Sequence, residues 1–447
     1  MDNQDWTQPD GNVAAINGAT SSTGPSGTTS WTGASGTSTT GTVGSGQQQI
    51  KNNPAAPFIN GLINPSSTLS TQVSYASKYV NVLSNSAGNG PSIHPSEPNY
   101  LWQESGTNYG IANDNDPYGS TNNAAIIQSY IATASPAVSG QNLSGLLQAK
   151  GISWKSYQED TDLTTTGGLT ETNVNQAAYN GHLAGTANDV TSTPVGPSQY
   201  TVPLTSFSGT STNYTNPYNG SHQYNFAVKH DGSLFYADTN GGNVGDTTNT
   251  EASHYLPLQQ LQTDLTNNTV GQYNLITPDQ YNDMHTALSG GFSYQGVHYT
   301  GEGAQIAQGD NFLATVVPEI EASSAYTNNG AIVIWTDETE LDSTGGSQND
   351  YNHTLMEIVI SPLAKGDAYT NSIVYTHSSD LATLQEVYNV PGSAGAYLND
   401  AGAATDLSDL FQANVIPAPI PEPASVGLMT MGALGFLARR RRAAKAL

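Results

Sequence analysis

Residues Ala331–Glu340 read AIVIWTDETE. Five apolar residues run without a break, then give way to Thr336, Asp337, Glu338, Thr339 and Glu340. A short apolar run of this kind reads as a strand buried on both faces, as in parallel sheets. Before Gly330, Phe312–Ser323 carries apolar residues at 312, 313, 316, 317 and 320, a helical spacing. Met356–Ile360 (MEIVI) reads as a second buried strand, and Ser378–Val387 as a helix with Ser378 or Ser379 as N-cap. Upstream, Ala55–Ile63 reads as a short helix and Val73–Val82 as mixed strand and turn. Leu143–Lys150 is a helix stopped by Gly151, with a strand over Ile152–Gln158. Leu256–Leu265 (LPLQQLQTDL) reads as a helix before a strand at Tyr273–Ile276. Helices alternating with short apolar strands predict an α/β fold, a mainly parallel central sheet covered on both faces. Chemistry in such sheets lies beyond the carboxyl ends of the strands.

That rule singles out Asp337 and Glu338. Adjacent carboxylates repel unless a cation or solvent separates them, so the pair reads as a hard-metal donor or as a solvated acidic turn. In His94-Pro95-Ser96-Glu97-Pro98-Asn99-Tyr100, the prolines fix the backbone around Ser96 and place it at a helix start. There it is either a plain N-cap or a nucleophile. Histidines stand beside turns at Lys229-His230-Asp231 and Asn282-Asp283-Met284-His285, with His353 before a strand and His377 before a helix. Each alone could be structural. No GxSxG elbow, P-loop or HExxH is present.

The charge distribution narrows the chemistry. Residues 1–438 hold six lysines, no arginine and all 36 acids, a net −30. The last nine residues, with Arg439 to Arg442 and Lys445, carry +5. This excludes a basic face for nucleic acid and any arginine fork for an anion. An anionic substrate needs a metal or backbone dipoles instead. The absence of cysteine removes disulfides and thiolate chemistry. Residues 12–50, rich in Gly, Ser and Thr, read as a flexible insertion, and 161–222 as loops over the active face.

The C-terminal end is modular. A Pro-rich linker spans 411–424, with Pro417, Pro419, Pro421 and Pro423. An uncharged helix is expected over 425–438 (SVGLMTMGALGFLA), shorter than the roughly 20 residues of a standard transmembrane helix, and four arginines follow. Pro421-Glu422-Pro423, this apolar segment and the basic end, spanning 421–447, resemble the PEP-CTERM sorting signal. The resemblance implies export to the cell envelope or beyond, a segment held transiently in the inner membrane, and an exosortase-type machinery as partner.

The separated motifs resemble the bacterial phosphoesterase family, which contains acid phosphatases and phospholipases C of the alkaline-phosphatase-like superfamily. They are Met1-Asp2-Asn3, Ala56-Pro57-Phe58-Ile59-Asn60, the 94–100 stretch, Trp154 to Glu159, and Ala227-Val228-Lys229-His230. Ile276-Thr277-Pro278, Asn282 to His285, Gly309-Asp310, Trp335 to Glu338 and Ile360-Ser361-Pro362 follow. The resemblance implies an alkaline-phosphatase-like three-layer α/β/α sandwich, with residues 1–410 as the catalytic domain. It makes Asp2, Asn3, Ser96, Asp337 and Glu338 ligands of a divalent metal ion whose identity is left open. Ser96 is the nucleophile, His230 and His285 face the phosphate, and Asn99 and Lys229 bind substrate. The family also has a strand before the acid-Asn pair. No such strand and no signal peptide stand ahead of Met1, so the chain is expected to start inside a longer protein. The function implied is metal-dependent hydrolysis of a phosphate ester through a phosphoserine. The alternative is an exported surface or matrix protein that keeps the fold for binding.

Overall fold

The structure, a computed structural model, describes residues 1–7, 20–23, 29–32, 48–82, 94–119, 122–133, 141–161, 201–210, 214–244, 248–339 and 353–417. The expected helix at 425–438, the second half of the Pro-rich linker and most of 161–222 lie outside the described residues. Among the described residues no helix is long and apolar enough to cross a membrane.

Two sheets carry the fold. One has the parallel order Tyr255–Pro257, Trp154–Gln158, Tyr273–Thr277. The other has the order Ile332–Trp335, Glu357–Ile360, Val73–Tyr79, Tyr369–Tyr375. In it Glu357–Ile360 runs antiparallel to both neighbours, while Tyr369–Tyr375 is parallel to Val73–Tyr79. The fold is α/β as expected, with parallel pairing in both sheets.

Successive residues along the strands enter different cores, as the period of two requires. Ile358 and Ile360 join Phe312, Val316 and Ile59, whereas Val359 joins Ala76, Tyr375 and Leu410. Trp154 and Tyr255 pack with Leu101, Leu147 and Leu381, while Tyr157 and Leu256 face the first core. The helices Glu302–Glu321 and Pro57–Leu62 therefore contribute to one layer, and Glu97–Ser105, Leu143–Lys150 and His377–Tyr388 to the other.

Several boundaries differ from the sequence reading. The start of Leu256–Leu265 is strand, because Tyr255–Pro257 pairs with Ser156–Gln158, and the helix begins at Gln260. The helix expected from Phe312 starts at Glu302. Thr376 is the N-cap of the His377–Tyr388 helix in place of Ser378 or Ser379, and Ser379 answers it from the third helical position. The segment read as a flexible insertion contains a hairpin of Thr20–Thr23 on Thr29–Thr32, and its end is core: Gln48, Gln49 and Ile50 are buried. Val333 is 39% exposed, so the strand of the opening motif is buried only toward Ile334 and Trp335. It lies at a sheet edge, as does Tyr273–Thr277. Both edges line a cavity of about 770 Å³ with Leu265, Phe312 and Val316.

Candidate active site

The strand Ile332–Trp335 delivers Asp337 and Glu338, both buried. The first residues of the chain run beside this strand end. Met1 N donates to Trp335 O at 3.0 Å, Asp337 N to Met1 O at 3.2 Å, and Asn3 N to Asp337 Oδ1 at 3.1 Å. Asp2 is thereby held against Asp337, and its own N–H donates to Asp283 O at 2.7 Å. Asn3 turns the chain away in the left-handed region, at φ 45°.

Ser96 stands at the N-cap of the helix Glu97–Ser105 but makes no capping bond. Asp114 Oδ1 instead accepts from Glu97 N at 3.0 Å. Ser96 Oγ is thus free to reach Asp2 Oδ1 at 3.0 Å, Glu338 Oε1 at 3.1 Å and Asn3 Oδ1 at 3.4 Å. Lys229 Nζ lies 3.3 Å from the same Oγ and 2.8 Å from Asp114 Oδ2. All five expected metal ligands are therefore brought together. Asn99, expected to bind substrate, donates its Nδ2 to Glu338 Oε2 at 3.1 Å and accepts at Oδ1 from Asn81 at 3.4 Å, so in this structure it orients a carboxylate.

The two histidines differ. His230 is buried, with Nε2 2.8 Å from Asp2 Oδ2 and Nδ1 3.2 Å from Asp283 Oδ2, and its ring stacks on Tyr100. Burial opposes its charge, but Asp2 and Asp283 on its two sides push its pKa up to about 8. His285 is 29% exposed, 3.9 Å from Asp2 Oδ2, with Nδ1 on Thr286 Oγ1 at 2.9 Å.

Asp2, Asp337 and Glu338 each place a carboxylate oxygen within 4.8 Å of the others. Burial, then the charges of Asp2 and Glu338, push Asp337 well above the carboxylate range. Burial also raises Glu338, against the hydrogen bond from His94. For Asp2 burial is overcome by His230, with His285 and Lys229, and its carboxyl is held well below the usual range. Asp337 Oδ2 is buried without a hydrogen-bond donor. Asn3 points its amide oxygen at these oxygens; rotating the amide would turn Nδ2 onto Asp2 Oδ1 at 2.9 Å and onto Glu338. A cation favours the first orientation and bare carboxylates the second. These all-oxygen donors fit a hard divalent cation. The neighbouring group Asp2, His230 and Asp283 has comparable spacing. A protonated His230 between the two carboxylates already offsets one of their two charges.

Sequence reading gave no role to His94, Asn81, Asp114, Asp283 or His377. His94 Nδ1 is 3.0 Å from Glu338 Oε1. Asn81 donates to Asp337 O at 3.0 Å, and His377 Nε2 lies 2.6 Å from that same carbonyl. His94 and Asp283 each stand two residues before a chosen residue, a findable signal. Asn81 and Asp114 lie in no motif.

The profile of the phosphoesterase family matches residues 72–391, and that of the PEP-CTERM protein-sorting motif matches 419–442. The first span includes Ser96, Lys229, His230, Asp283, His285, Asp337 and Glu338. No curated protein matches the chain. Among solved structures it is similar to a protein in the alkaline phosphatase superfamily from Vibrio parahaemolyticus. Identity there is 10% and the TM-score 0.39, over 83% of this chain and 68% of that one. A second similar chain is described with the metabolism of multiple glycosaminoglycans by Bacteroides thetaiotaomicron. Identity there is 12% and the TM-score 0.39, over 81% of this chain and 78% of that one. The sorting motif implies export to the cell envelope by exosortase-type machinery. With 320 of its 447 residues inside the family match, the chain belongs to the phosphoesterase family, hydrolases of phosphate esters.

Proposed function

We propose that this phosphoesterase is metal-dependent, of acid phosphatase or phospholipase C type, and acts through a phosphoserine at Ser96, with residues 1–410 as its catalytic domain. The observation that carries this is the N-cap serine that declines to cap and turns its Oγ to Asp2 and Glu338. A divalent cation held by Asp2, Asn3, Ser96, Asp337 and Glu338 would supply Lewis-acid polarisation and lower the proton affinity of the serine. Ser96 Oγ gives up its proton to a neighbouring carboxylate and attacks phosphorus, forming the Oγ–P bond as the P–OR bond breaks. His285, the more open histidine, protonates the departing alkoxide. Buried His230 fixes Asp2 and Asp283. Lys229 meets a phosphoryl oxygen while its Nζ stays beside Ser96. Water then forms a new P–O bond, the Oγ–P bond breaks, and Ser96 regains its proton. The C-terminal segment holds the exported enzyme in the membrane during sorting.

Acid quenching during turnover of a chromogenic phosphate ester, followed by peptide mass analysis, should find one phosphate on the peptide containing Ser96. Sustained turnover by Ser96→Ala would overturn the assignment.

A further inference from the structure

Behind the site lies a second carboxyl group, unconnected with phosphate. Glu159 and Asp160 follow the strand Trp154–Gln158, and Asp279 follows the parallel strand Tyr273–Thr277. All three are at most 1% exposed, and their oxygens approach within 4.8 Å of one another. Among the described residues no lysine, arginine or histidine forms an ion pair with any of them.

Five of the six oxygens are committed as acceptors. Glu159 Oε1 takes Asn216 Nδ2 (2.7 Å) and Asn282 Nδ2 (2.8 Å), and Oε2 takes Asp279 N (2.9 Å). Asp160 Oδ1 takes Tyr214 O–H (2.6 Å) and Oδ2 takes Asn225 N (3.0 Å). Asp279 Oδ1 takes Tyr281 N (3.0 Å) and Asn282 N (2.9 Å). Asp279 Oδ2 alone has no donor. Three ionised carboxylates at this spacing, buried without a counter-charge, repel strongly. A proton on the sixth oxygen removes one charge and supplies the one missing hydrogen bond.

We propose that Asp279 keeps a proton on Oδ2 and shares it with Asp160, and that this trio is a positioning clamp for the turn leading to Asp283 and His285. The route is short. Asp279 Oδ1 closes the turn over 281–282, Asp283 N donates to Asp279 O at 2.9 Å, and Asp283 Oδ1 accepts from His285 N at 2.8 Å. Asp283 in turn touches His230 and holds Asp2. Burial raises all three carboxyls. The titratable groups facing them are Tyr214, Tyr224 and Tyr281, each kept in its neutral form by burial and by these acids. His222 stands behind, on Tyr214 O.

The catalytic part of this proposal rests on the phosphoesterase reading; the proton does not. Asn at 279 keeps the Oδ1 acceptor and replaces the O–H with N–H. Asn at 160 must turn an N–H toward an existing donor. Asp279→Asn should therefore keep kcat within about twofold, whereas Asp160→Asn and Asp279→Ala should lower it roughly ten- to hundredfold with KM little changed. The kcat profile of Asp279→Asn should lack an alkaline fall present in the native chain. Infrared difference spectra should show one protonated-carboxyl band lost in Asp279→Asn. Equal damage from Asn and Ala at 279, an unchanged alkaline fall, or no band lost would each overturn the proposal. So would a bound divalent cation lost specifically in Asp279→Asn. If the native chain hydrolyses no phosphate ester, the functional reading fails, and the infrared comparison still decides the proton.

Discussion

Ser96 Oγ donates to Glu338 Oε1 across 3.1 Å, though 242 residues of sequence separate them. His94 meets the same carboxylate oxygen at 3.0 Å, so the serine, the acid and the histidine form one contact. Replacing Ser96 by Ala removes the hydroxyl that donates to that oxygen and leaves the backbone unaltered. Turnover of a chromogenic phosphate ester should fall roughly a thousandfold or more. Bound metal, measured by elemental analysis, should stay near the native level because the other donors remain. Full loss of metal would show that Ser96 is chiefly a ligand.

Asp337→Asn should uncouple metal binding from metal-free stability. The native carboxylate is destabilised by burial and by Asp2 and Glu338. Neutralising it should raise the metal-free unfolding free energy by about 1 kcal/mol or more, while abolishing the rise in Tm that added divalent cation gives the native chain. Unchanged metal content would remove Asp337 from the ligand set.

Lys229→Ala tests the lysine beside Ser96. Its Nζ spans Ser96 and Asp114, and Asp2 and Asp114 raise its pKa against the effect of burial. A role in binding the phosphoryl group predicts a KM about tenfold higher with a smaller change in kcat. A large loss of kcat at constant KM would move Lys229 into the chemical step.

Stability should fall as pH rises. Burial raises Glu97 to about 9, Glu104 to about 8 and Asp310 to about 7. A carboxyl with a raised folded pKa binds its proton more tightly when folded. Its contribution is complete below the unfolded pKa near 4 and is lost as pH rises through the folded value. Urea unfolding should therefore give a larger free energy at about pH 5 than at about pH 8, by several kcal/mol. Equal values would show that these carboxyls ionise in the folded protein at their ordinary pKa values.

Residues in compact local motifs were the legible ones. Ser96 sits between two prolines, Asp337 and Glu338 end an apolar run, and His230 and His285 stand at turns. The helix Leu143–Lys150 is legible because Gly151 closes it, in the left-handed region; the Asn142 cap is added by the structure. Tyr255–Pro257 is not legible, because its strand state comes from pairing with Ser156–Gln158, a hundred positions earlier. The first turns of Glu302–Glu321 were hidden for another reason: Gly303, Ala304, Ala307 and Gly309 are buried there, small residues that give little apolar signal. Asn81, Asp114 and the carboxyl trio are assembled only by tertiary contact.

The ion pair of Lys229 with Asp114 also bears on how the enzyme empties. In the proposed mechanism product phosphate leaves without breaking a guanidinium fork, since no arginine occurs before Arg439. In that mechanism the lysine that lets product go has the Asp114 carboxylate, 2.8 Å away, to return to. Inhibition by inorganic phosphate should accordingly follow metal occupancy, and removing Asp114 should slow product departure by leaving the lysine to the anion alone.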